Sequence, residues 1–346
     1  VCLSALLVIC LASCEKEPAP QATQPSKQPA QKSPVKRATK SASVTKKPFS
    51  WIKNDYKAAV EQGNDKNRPI FVDMWAAWCH TCLSMKQTVL VDKQVLELAD
   101  RLTWLRVDTE NKANAFLLER FPARTLPTFI IIDPRNQSLI ARYQGAASVK
   151  QLVQFIETGL NGYHQTKQAP WNEMATVGDR AAFKDKHADA KQAYRQALKA
   201  APPNWSRRPD VLVSLIGIHY RQKEWTPCTE TAVKYAADTG SSASAADFLY
   251  YGTLCAKQLD EKSELRQRLL MVAVERLTAL AEDQSAPLSA DDRSETMRIL
   301  RQALIVKGEE EQARAVAIKQ RAFLDKAAKT AKTPAEASIY NWPRAE

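Results

Sequence analysis

At 346 residues, 45% of them hydrophobic and 25% charged, the chain is long enough for about two domains plus appendages and has an ordinary globular composition. Its formal net charge of +12 does not read as a nucleic-acid footprint, because residues 15–50 carry eight Lys or Arg against two Glu, and half of the excess lies there. Gly is scarce, at 9, and Ala-rich stretches dominate the second half, which favours helix.

The chain opens on an apolar run, LSALLVICLASC, from Leu3 to Cys14. It is shorter than the about 20 apolar residues that span a bilayer, and it fits the hydrophobic core and cleavage site of a secretory signal. Leu11-Ala12-Ser13-Cys14 looks like a bacterial lipobox. That resemblance implies a lipid on the Cys14 thiol and cleavage before it. Residues 1–14 are therefore expected to be a lipoprotein signal peptide with a truncated start, since the basic leader and initiator Met are missing. The plainer alternative is an ordinary signal with a chance Cys. Both place the mature chain outside the cytoplasm, where thiols can oxidise. Glu15, rather than Asp, follows Cys14 and tilts the expectation toward the outer membrane. Residues 15–50 hold six Pro, many Gln, Ser and Lys, and no aromatic before Phe49, which predicts a disordered tether.

From Trp51 the pattern changes. WIKNDYKAAVEQG predicts a helix stopped at Gly63, and RPIFVDMW a buried strand after Pro69. LSMKQTVLVDKQVLELAD reads as helix interrupted near Val91-Asp92, LTWLRVD as strand and NKANAFLLERF as helix. TLPTFIIID and SLIARYQG are strands around a turn at Pro134-Arg135-Asn136, and SVKQLVQFIETGL is a closing helix. The order α-β-α-β-α-β-β-α predicts an α/β domain over 51–162, a central mixed sheet with helices on both faces.

Residues 170–346 read as helix after helix. KHADAKQAYRQALKAAPP, with Ala190, Ala193, Tyr194 and Ala197, resembles the second helix of a tetratricopeptide-type repeat. Helix pairs can be drawn at 209–222 with 227–238, 243–258 with 262–281, and 289–306 with 309–330. The spacing suits an all-α array of helical hairpins, with a non-repeat bundle as the alternative.

The stretch DMWAAWCHTC, residues 73–82, carries the chemistry. Cys79 and Cys82 are two residues apart, just after a predicted strand and at the start of a predicted helix. Amides at a helix start stabilise a thiolate on the first sulfur. A second sulfur three residues on shares its face and lies within disulfide reach. A strand ending here delivers the pair to the carboxyl edge of the sheet.

FVDMWAAWCHTC together with TLPT resembles the thioredoxin superfamily, and residues 51 to 160 most resemble the C-terminal domain of the thiol–disulfide interchange reductase DsbD. The resemblance makes Cys79 the nucleophile and Cys82 the resolving thiol. It makes Asp73 a buried carboxylate under Cys82 and Pro127 a cis proline facing the pair, with Leu126 backbone groups left to bind substrate. Trp78 and His80 flank the first sulfur on the substrate side. A buried carboxyl has a raised pKa and is suited to accept the Cys82 proton; alternatively it is a hydrogen-bonded core acid. Pro127 in trans, opening an edge strand, is likewise open. Two departures stand out. The intervening pair is His80-Thr81, where His80 either supports the thiolate or is simply solvated. Trp104 stands where thioredoxin has a Lys near the buried acid.

Zinc wants four ligands, typically a second Cys pair or paired His, and the remaining non-signal cysteines, Cys228 and Cys255, are far along the chain. Haem attachment wants His after the second Cys, and Leu83 is there. A purely structural bridge leaves the surrounding motif unexplained. Cys228 and Cys255 are expected on neighbouring antiparallel helices, as a structural disulfide contributing about 3 kcal/mol or as two buried thiols. His164, His187 and His219 share no spacing, and no metal or cofactor is called for.

The leading expectation is a lipid-anchored, extracytoplasmic thiol–disulfide oxidoreductase. Its substrates are protein thiols or disulfides, or thiol carriers, with a redox partner protein and no nucleic acid. The helical region is expected to recruit a partner. The alternative is a tethered adaptor whose first domain only docks.

Overall fold

A computed structural model describes residues 50–164 and 169–341. The expected signal, the Cys14 expected to carry a lipid and nearly all of the tether lie outside the described residues. Five strands form one sheet: β1 (Ile52–Lys53), β2 (Ile70–Trp75), β3 (Thr103–Asp108), β4 (Thr128–Asp133) and β5 (Ser138–Gln144). The order is β1-β3-β2-β4-β5, parallel among the first three strands and antiparallel from β2 through β4 to β5. This is the mixed sheet expected from the pattern of apolar runs.

Alternation along the strands sends side chains to two cores. Ile70, Val72 and Met74 pack with Leu105, Val107, Ile130 and Ile132 under α1 (Tyr56–Asp65) and α4 (Ala115–Arg120). Phe71, Trp104, Phe129 and Ile131 face the other side, under α2 (His80–Gln87), α3 (Lys93–Leu96) and α5 (Val149–Tyr163). Ser148 and Gln151 form a reciprocal cap at the start of α5. Gly159 lets that helix lie on the sheet, since a Cβ there would stand 2.1 Å from the Ile131 side chain.

Three readings of this region need correction. The first helix does not begin at Trp51. Ile52–Lys53 pairs with Leu105–Arg106 as β1, Asn54 turns the chain at φ 56°, and Asp55 accepts from the Ala58 amide to start α1. Gly63 does not stop that helix, which runs on to Asp65; a Cβ at Gly63 would lie 3.0 Å from Pro134, so Gly63 marks a close approach. The helix after the cysteines already ends at Gln87. It continues as 3-10 turns at Val89–Val91 and Ala99–Arg101 around the short α3.

The second half is helical throughout among the described residues. The helices are α6 (Pro170–Phe183), α7 (His187–Ala200), α8 (Arg208–Arg221), α9 (Trp225–Tyr235), α10 (Ala243–Ala256), α11 (Glu264–Glu282), α12 (Ala290–Lys307), α13 (Glu310–Thr330) and α14 (Pro334–Asn341). A single apolar core runs from α6 to α13. Cys228 on α9 and Cys255 on α10 form a disulfide with a Cα separation of 6.0 Å, fully buried.

The helices close the free side of the sheet. The β5 carbonyls of Leu139, Ile140 and Arg142 accept hydrogen bonds from Arg180, Thr176 and Arg207. The Arg142 guanidinium is itself buried, donating to Asp179 at 3.1 Å and to Ser214 at 3.2 Å. Among the described residues no helix is long and apolar enough to cross a membrane.

Candidate active site

Strand β2 delivers the chain to the sheet edge at Trp75, and Ala76 to Trp78 turn it into α2. Cys79 is the N-cap of that helix, and its Sγ accepts from the Cys82 amide at 3.1 Å. A sulfur in this position receives helix-start N–H donors and the positive end of the helix dipole. Cys79 and Cys82 form a disulfide with Cα atoms 5.2 Å apart, and each is only 5% exposed. Ala76, Trp75 and Leu126 pack around the two sulfurs.

Leu126–Pro127, in the loop before β4, is a cis peptide, and Leu126 packs against the pair. The Pro127 carbonyl accepts from the Gly145 amide at 2.9 Å, tying this loop to the turn after β5. Trp78 is 61% exposed, and its indole N–H donates to Glu110 at 2.7 Å.

Asp73 lies behind the pair on β2, 4% exposed. Burial pushes its carboxyl above the usual range, while the Arg106 guanidinium and the Lys86 ammonium pull it back. Arg106 stands opposite Asp73 in the β2–β3 register, donates from Nε to Oδ2 at 2.8 Å, and stacks on the Trp51 ring at 4.0 Å. Lys86, over the Trp75 ring, is held below its ordinary pKa first by burial and then by Arg106. Trp104 therefore does not leave the acid without a cation. Its ring packs on Phe71 and its indole N–H reaches the Ala99 carbonyl, while Arg106, two residues on, supplies the charge. The signal was readable: Arg106 shares the pleat face of Trp104.

His80 is half-buried rather than simply solvated. Its Nδ1 is 2.8 Å from Oδ1 of Asp291, the second residue of α12, which is itself buried. Ser84 and Ser289 bring the same two helices together at 3.3 Å, and Leu83 packs against Ile339 and Tyr340 of α14. A cleft of about 50 Å³ remains beside the pair, bounded by Thr81, Leu126 and Gly145 on one side and by Asp247, Asp292 and Glu295 on the other. Asp291 and these acids, more than 150 residues from the Cys pair, carried no signal in the sequence. Among the described residues no group of three or more His, Cys, Asp or Glu is placed to hold a metal ion.

Residues 51–134 match the family model described as thioredoxin-like. Thioredoxin-1 of Drosophila melanogaster is 30% identical over 93 residues, covering 27% of this chain and 79% of that protein. The chain belongs to the thioredoxin family. The chloroplastic thioredoxin Y of Oryza sativa is 35% identical over 94 residues, 27% of this chain and 52% of its own. The thiol:disulfide interchange protein DsbD of Pseudoalteromonas atlantica is 27% identical over 95 residues, 26% of this chain and 16% of its own. The chain thus spans about half of thioredoxin Y and a small part of DsbD. A thioredoxin-like domain with a bonded Cys79–Cys82 pair supports thiol–disulfide oxidoreductase activity.

Proposed function

We propose that the protein is a membrane-anchored, extracytoplasmic thiol–disulfide oxidoreductase acting on protein or thiol-carrier substrates. The observation that carries the reading is Cys79 at the N-cap of α2, bonded to Cys82 and packed against Leu126. In the reduced protein the Cys79 thiolate attacks a substrate disulfide. One substrate sulfur leaves as thiolate, and a mixed disulfide to Cys79 remains. Cys82 then loses its proton, for which Asp73 is the nearby buried acceptor by the family's pattern, and attacks the Cys79 sulfur. The Cys79–Cys82 disulfide closes and the second substrate thiolate leaves, so two electrons pass from the dithiol to the substrate. Reversed, the same steps oxidise a substrate dithiol. Leu126 and Pro127 would receive the substrate backbone, with Trp78 as an exposed apolar contact. The printed name of the DsbD relatives, thiol:disulfide interchange protein, supports this chemistry.

The anchor rests on Leu11-Ala12-Ser13-Cys14, with lipidated Cys14 holding the folded part at a bacterial envelope membrane. Insulin reduction with dithiothreitol as electron donor tests the enzyme: Cys79→Ser should be inactive, and Cys82→Ser should accumulate a mixed disulfide. Equal activity in wild type and Cys79→Ser would leave only the adaptor reading. For the anchor, Cys14→Ser should move the protein from the membrane to the soluble fraction, and unchanged fractionation would refute lipidation.

A further inference from the structure

Asp291 reaches the redox helix from 211 residues away. It is 4% exposed; its Oδ1 meets His80 Nδ1 at 2.8 Å, and its Oδ2 has no hydrogen-bond partner among the described residues. A carboxylate accepts hydrogen bonds and offers no hydrogen, so in this contact a ring Nδ1–H would donate, and the contact holds the ring's orientation. The ring belongs to the residue directly after Cys79, in the first turn of the helix that Cys79 caps. With Cys79 5% exposed, water screens the ring and its carboxylate weakly from the sulfur. Asp292 beside it and Tyr340 on α14 are titratable groups that feel the charge of Asp291.

We propose that Asp291 is a positioning residue for the redox pair, so that the helical region completes the thioredoxin-like site by fixing the His80 ring and thereby sets the dithiol–disulfide balance of Cys79 and Cys82. The proposal rests on the oxidoreductase reading. It assigns the helical half a role inside the site, in place of partner recruitment alone.

The test uses the full chain equilibrated with reduced and oxidised glutathione, with the state of Cys79 and Cys82 read by alkylation and mass spectrometry. Asp291→Asn should shift the equilibrium constant threefold or more, about 14 mV at 29.6 mV per tenfold, and displace the pH profile of Cys79 alkylation. His80→Ala should shift it comparably, and the double variant should match His80→Ala alone. Ser84→Ala, which removes a neighbouring contact between the same helices, should change neither readout. An Asp291→Asn protein equal to wild type in both readouts would overturn the proposal. So would effects of the two single variants that simply multiply, or a Ser84→Ala shift of the same size. Should Asp291→Asn not fold by circular dichroism, His80→Ala and His80→Gln carry the test, and wild-type behaviour in both would overturn it. The equilibrium is read on the pair itself, so a protein without insulin reductase activity would defeat the enzymatic reading yet leave this outcome legible.

Discussion

The Arg106 guanidinium donates from Nε to Asp73 Oδ2 at 2.8 Å, with both side chains almost fully shielded from water. Burial alone disfavours the Asp73 carboxylate, and Arg106 is the largest of the influences that oppose it. Arg106→Leu should leave a buried charge with only the more distant influence of Lys86 to offset it, and destabilise the protein by about 3–5 kcal/mol at neutral pH. The cost should shrink on acidification, because protonated Asp73 needs no cation. Urea unfolding midpoints at pH 5 and pH 8 check this, and a cost independent of pH would show that lost stacking on Trp51 dominates instead.

Asp247, facing the cleft from α10, is pushed up to about 7 by burial and then by the charges of Glu295 and Asp292. The sign follows from linkage. A carboxyl whose folded pKa lies above its unfolded value supports the fold fully at low pH and loses that contribution as pH rises toward the folded value. Asp247→Asn, of nearly the same shape, should therefore match wild type near pH 4. At pH 8 it should be more stable by about 1–2 kcal/mol, discounted for partial exposure. Unfolding at the two pH values decides; an equal difference at both would rule out titration of Asp247 as the cause.

Gly145 has φ +84°, and a Cβ built there would stand 2.6 Å from Asp247 Oδ2. Gly145→Ala should cost about 1–3 kcal/mol through left-handed strain and displaced packing. In an Asp247→Ala background part of that cost should disappear while the backbone part stays. Thermal unfolding of the two single variants and the double variant measures the split, and full additivity would place the whole effect in the backbone.

The Cys228–Cys255 bridge closes a separation of 27 residues inside the helical core. Replacing both cysteines with Ala should cost about 3 kcal/mol and leave insulin reduction unchanged. Loss of reductase activity in a folded double-Ala protein would mean that this second disulfide takes part in electron transfer.

Much of the sheet was legible because its strands are short and nearly continuous in apolar residues. Ile70–Trp75 and Thr128–Asp133 are buried on both faces, and such runs announce themselves. β1 has two residues and no pattern of its own; only its pairing with Leu105 and Arg106 makes it a strand. Gly63 read as a stop because sequence shows a missing side chain, not the Pro134 ring that occupies the space. The Cys pair was visible by spacing. Its surroundings were not, because Asp291, Asp247 and Asp292 reach the site only through the docking of distant helices. α6 and α14 fall within the stretch that reads as helix after helix, though no bounds are drawn for them in the sequence.

The side chains of Arg180, Thr176 and Arg207 take up carbonyls of β5 that a sixth strand would otherwise bind. An uncovered outer strand is a template for sticking to a neighbouring molecule, and these three residues all lie beyond residue 164. Cutting the chain there would strip that cover, strand the Arg142 guanidinium away from Asp179, and leave a fragment inclined to self-associate. Anyone wanting the redox half as a well-behaved reagent should expect to keep the helices attached.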